Sequence, residues 1–72
     1  MTVSEISKLV AEMGISVGMI KNAPDADSAL EETIRLDTIY HALRKAEPGI
    51  ADMRLGYIRL HLPAFEPTEP SE

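Results

Sequence analysis

Apolar residues recur along this chain at helical intervals, and in the middle of it they occupy two faces. Between Ser28 and Ala46, a broad stripe of Ala29, Leu36, Ile39, Tyr40, Leu43 and Ala46 forms at 100° per residue. Leu30 and Ile34 lie on the opposite side, near His41. The ends of this segment are also marked. Ser28 with Glu31 has the spacing of a capping box, Glu31 and Glu32 stand at the positive end of the helix dipole, and Arg44 and Lys45 stand at the negative end. Glu31 and Arg35 are spaced for an i,i+4 pair. Glu47-Pro48-Gly49 stops the pattern, because the residue before a proline avoids helical geometry. A helix over 28–46 is therefore expected to be the longest and central element. A helix wet on one side needs one apolar stripe; two stripes call for cover on both sides.

Upstream, Thr2 and Glu5 make a second capping-box pair, and Val3, Ile6, Val10 and Met13 fall on one face, continued by Val17 and Ile20. A single helix to about residue 21 fits this spacing. Gly14 followed by Ser16 favours instead a stop and a restart, with the glycine in a left-handed position after the first helix. Residues 22–27, Asn-Ala-Pro-Asp-Ala-Asp, read as a loop.

Residues 48–62 support two readings. As a helix, Ile50, Met53, Tyr57 and Leu60 form a stripe widened by Ile58; as a strand, Ile58, Leu60 and Leu62 alternate with Arg59 and His61. A lone strand has no partner inside this chain and would need a second copy, so a helix is favoured. From Pro63 to Glu72, three prolines, three glutamates and a single aromatic predict an extended, solvated tail that the fold can lose. Phe65 is its exception, either folding back onto the bundle or anchoring a short binding motif. The expected fold is all-α: a bundle of three to four helices over 1–62, with a flexible acidic tail over 63–72.

Length changes what this pattern implies. A chain of 72 residues makes one domain at most, and such domains are marginal without disulfides, metals or association. There is no cysteine, so disulfides, thiolate metal sites and thiol nucleophiles are excluded. A cytoplasmic setting is expected. The net charge of −5 belongs largely to the tail, since residues 1–62 hold nine acids against seven bases. Clustered Lys and Arg of the kind that bind nucleic acid are missing. So are a signal-peptide pattern and an apolar run of membrane-spanning length.

Two family resemblances can be placed on particular residues. The run Leu9 to Ser16, with Ile20 six residues after Gly14, resembles a helix-turn-helix and implies a DNA-binding regulator using residues 5–22, with Ser16 and Lys21 at the DNA. Val17, Gly18 and Met19 depart from that pattern where polar and basic readers belong, and the acidic Asp25-Ala26-Asp27 follows. Asp27-Ser28-Ala29-Leu30 is loosely similar to the Asp-Ser-Leu of acyl and peptidyl carrier proteins, which implies Ser28 as a phosphopantetheine site. Ala29 replaces the large apolar residue of that family, and the usual leucine-glycine lead-in is absent.

Chemical signatures are few. His41 and His61 alone make a poor metal site, and Asp37 with His41 at i,i+4 reads as a surface ion pair. No catalytic, metal or cofactor residues are therefore expected, and neither is a small-molecule substrate. The expected function is a non-enzymatic interaction module, a regulator, inhibitor or assembly factor of phage or accessory bacterial type. It would act as a homodimer or on another protein through Leu30, Ile34, Thr38, His41 and Phe65.

Overall fold

In the computed structural model, residues 1–68 are described, and they form three helices joined by short connections: α1 (Val3–Lys21), α2 (Ala26–Ala46) and α3 (Pro48–His61). The all-α expectation holds, with three helices among the described residues. The strand alternative for residues 53–62 is gone, because residues 48–61 are helical.

The N-terminal box forms as the sequence implies. The Glu5 N–H donates to Thr2 Oγ1 at 3.2 Å and the Thr2 N–H donates to Glu5 Oε1 at 3.3 Å. The break at Gly14 does not form. α1 runs unbroken through Gly14 and Gly18, and no described residue has the positive φ a left-handed stop requires. The physical reason lies in the stripe. Met13 and Val17 are buried and Ile20 packs against the core, so one continuous helix covers α2 along its length. That burial, about 1.5–3 kcal/mol per large side chain, outweighs the roughly 1 kcal/mol that each interior glycine costs. The helix ends instead at Asn22, whose N–H and side-chain Nδ2 both donate to the Gly18 carbonyl, at 3.1 and 2.9 Å.

α2 begins two residues earlier than its spacing suggested. Asp25, not Ser28, is the N-cap: its Oδ1 accepts the Ser28 N–H at 2.8 Å, which holds the Asp25 carboxyl below its ordinary range. The Ser28/Glu31 box and the Glu31–Arg35 pair are absent; Arg35 approaches Glu32 instead, at 4.0 Å. At the other end, Glu47 closes α2 and precedes α3, with φ −143° and ψ 84°, and Pro48 becomes the first residue of α3. That position suits proline, since its missing N–H would have no partner there.

α1 and α2 make the main contact, α3 packs chiefly on α2, and α1 touches α3 little. The core is Met13 and Val17 from α1, Leu36, Ile39, Tyr40 and Leu43 from α2, and Ala51 and Ile58 from α3. Phe65 completes it. The Phe65 side chain is buried in that cluster and its N–H donates to the Leu62 carbonyl at 3.0 Å. The solvated tail expected from Pro63 is thus corrected at its start, because a single aromatic folds back and carries its neighbours with it. Residues 69–72, the rest of that expected tail, lie outside the described residues. α3 is also turned from its expected orientation. Ala51, Leu55, Ile58 and Leu62 face inward, while Met53, Tyr57 and Leu60 face out.

Candidate functional site

Three surface regions carry the residues singled out by sequence, together with some that were not. The first is the outer face of α2. Leu30 and Ile34 are 59% and 60% exposed there, one turn apart, and neither α1 nor α3 covers them. Thr38 continues the face by a further turn, its hydroxyl donating to the Ile34 carbonyl at 3.0 Å. The second apolar stripe of α2 is therefore real, and it is bare among the described residues.

Phe65 does not join that face, and His41, on the same side of α2 two turns beyond Ile34, is partly covered by Thr68. Phe65 points into the core, which removes it as a surface anchor. His41 belongs to a second region, where the tail crosses α2. The Thr68 N–H donates to Asp37 Oδ1 at 2.9 Å, and its hydroxyl donates to Asp37 Oδ2 at 2.7 Å. His41 Nε2 lies 3.1 Å from Thr68 Oγ1 and 3.3 Å from Asp37 Oδ1. Burial pushes the Asp37 carboxyl up, but the Thr68 hydroxyl, the Thr68 N–H and the neighbouring imidazole together outweigh it and hold the group below the ordinary 3.8. A hydroxyl, an imidazole and a carboxylate suggest a hydrolytic triad, yet the geometry lacks its relay. In such a triad the base uses one ring nitrogen for the nucleophile and the other for the carboxylate. Here hydroxyl and carboxylate meet the same nitrogen, and the carboxylate accepts the hydroxyl's hydrogen bond directly. The cluster fastens Thr68 to α2. No group of three or more metal-binding side chains occurs among the described residues.

The third region was missed from sequence. Met53, Tyr57 and Leu60 on α3, at 75%, 39% and 81% exposed, form an outward stripe with Gly49 and Gly56. Of the stripe expected on α3, Ile58 is buried and Ile50 packs against the core, whereas these three face out. The spacing of Ala51, Leu55, Ile58 and Leu62 was an equally good signal for the inward face.

The residues of the DNA-binding alternative are scattered. Ser16 is buried within an unbroken helix, and the Lys21 Nζ lies 3.2 Å from His61 Nδ1. Without a turn at Gly14 there is no separate recognition helix. Ser28, the residue of the carrier resemblance, sits inside the first turn of α2 with its N–H on Asp25. A shallow cleft at the α1–α2 turn, lined by Met19, Pro24, Ser28 and Glu32, holds one buried carboxylate oxygen without a hydrogen bond, Glu32 Oε2. Its sister oxygen faces Arg35. No described helix is long and apolar enough to cross a membrane. Compared with known proteins, the chain matches no family model, no curated protein and no solved structure.

Proposed function

We propose that this protein is a non-enzymatic interaction module that works by protein contact through bare apolar helix faces, associating with itself and presenting a face to another protein. One observation carries this reading: Leu30 and Ile34 stay more than half exposed on a helix whose opposite side buries Leu36, Ile39, Tyr40 and Leu43. Each large aliphatic side chain is worth about 1.5–3 kcal/mol when buried. In a domain of this size the core gain is nearly cancelled by chain entropy, so leaving such residues in water forgoes a large share of the available stability. Covering them in an interface recovers it. The surroundings suit a protein partner, since Thr38 is uncharged and Leu30 and Ile34 supply anchors without a dense charge of one sign.

The test charges both outer faces in one chain, Ile34→Glu on α2 and Leu60→Glu on α3. Neither side chain is packed within the chain, so helicity and the unfolding midpoint at low concentration are expected to stay near wild type. Self-association, read by sedimentation, is expected to disappear. A variant that unfolds would mean that these faces are covered inside one chain, and the reading would fail.

A further inference from the structure

The outer face of α3 complements itself. Gly49, Met53, Gly56 and Leu60 follow one another at intervals of four, three and four residues, the intervals of a helix–helix seam. Tyr57 borders them, and their arc lies about half a turn from the arc of Ala51, Leu55, Ile58 and Leu62 that packs inward. A Cβ placed on Gly56 would meet nothing within 4 Å, and its φ is not positive. Neither the packing of this chain nor its backbone therefore requires glycine there, although glycine weakens a helix relative to alanine.

Charges frame the face unequally. On one flank stand Asp52 and Arg59, seven residues or about 10 Å apart along the axis, too far to pair with each other. Asp52 has no ion pair among the described residues, and Arg59 has only a loose one, at 3.9 Å to the 81% exposed Glu66 carboxylate. On the other flank stand Arg54, whose guanidinium lies 5.9 Å from the Tyr57 ring, and His61.

We propose that a second copy of the chain docks on this face, α3 against α3, antiparallel about a two-fold axis beside Gly56. The proposal rests on the self-association reading and gives it a seam. Such an interface uses the same patch on both copies. An axis beside Gly56 brings Met53 level with Leu60 of the other copy, and Asp52 level with its Arg59, each within about one residue's rise of 1.5 Å. Both pairs occur twice. The bare backbone at Gly56 lets the two helices approach, and it leaves a hole for the Met53 and Leu60 side chains. Asp52 and Arg59 can be matched only in the antiparallel direction. In a two-fold antiparallel pair each flank meets its own copy, matching Asp52 with Arg59 on one side and setting Arg54 near His61 on the other. A parallel pair would instead set Asp52 beside Arg54 and Arg59 beside His61, and Asp52 and Arg59 could not meet.

Sedimentation equilibrium of the full chain tests this. Asp52→Arg and Arg59→Asp are each expected to weaken dimerisation about tenfold or more, because every change acts at two symmetric contacts. The double variant D52R/R59D is expected to recover to within about threefold of wild type. The two positions are too far apart to pair within one chain, and the dilute unfolding midpoint of each variant separates the dimer effect from changes at Arg44 and Glu66, which line the same cleft. Gly56→Leu, whose side chain meets open space in the single chain, is expected to weaken the dimer while leaving helicity and the dilute unfolding midpoint undiminished. A double swap that does not recover overturns the antiparallel register. A dimer abolished by Ile34→Glu, yet indifferent to Gly56→Leu and both swaps, overturns the α3 seam and leaves the interaction-module reading standing. A wild-type chain that stays monomeric at high micromolar concentration overturns the seam and self-association together.

Discussion

Single residues hold the segment 63–68 in place, and two of them give sharp tests. Phe65 fills the core alongside residues from all three helices, and buried Phe→Ala changes cost about 3–5 kcal/mol. Phe65→Ala is therefore expected to lower stability by an amount in that range. Truncation after Leu62 should do at least as much harm, and an unchanged melting temperature in either variant would show that the ring does not dock. Asp37 is the second. Its folded value lies below the ordinary 3.8, so it binds its proton less readily in the folded chain than in the unfolded one. Its contribution to stability is thus present above that ordinary value and is lost as pH falls through the depressed folded value. Asp37→Asn should destabilise at neutral pH, and the gap to wild type should narrow below about pH 4. A gap independent of pH would remove the charged clamp on Thr68. Phe65 stood out in the sequence as the one apolar residue in a polar stretch. The partners of Asp37 did not, because a hydrogen bond to a residue 31 positions away leaves no local trace.

At the scale of the helices, most short-range signals were legible, the Ser28/Glu31 box that Asp25 displaces being an exception, and competing long-range ones were not. Thr2 with Glu5, the core stripe of α2 and the Glu47-Pro48 boundary all depend on neighbours within one or two turns, and all three appear in the structure. Gly14 misled because the local stop signal was real but weaker than the continuous stripe of Met13, Val17 and Ile20. α3 misled for a related reason: it carries two apolar stripes, and only packing against α2 decides which one is inside. The unbroken α1 makes a direct prediction. A Cβ at Gly14 or Gly18 meets nothing within 4 Å, and neither has positive φ. Gly14→Ala and Gly18→Ala should therefore each stabilise the chain by up to about 1 kcal/mol. Destabilisation at Gly14 would point to a left-handed stop and bring back the two-helix reading of residues 2–22.

For the whole molecule, the account turns on incomplete burial. The three helices cover one side of α2 and one side of α3, and the remaining sides present Leu30 and Ile34, and Met53, Tyr57 and Leu60. A chain of this size with no cysteine has few other sources of stability, so association and folding should be linked. The most direct measurement is the unfolding midpoint of the wild-type chain over about a hundredfold range of protein concentration, with the native mass followed in parallel. Linked association makes the midpoint depend on concentration. It is predicted to rise with concentration, while the native mass approaches twice the 7.9 kDa of one chain. A midpoint that stays fixed, with a mass of 7.9 kDa throughout, would contradict the account.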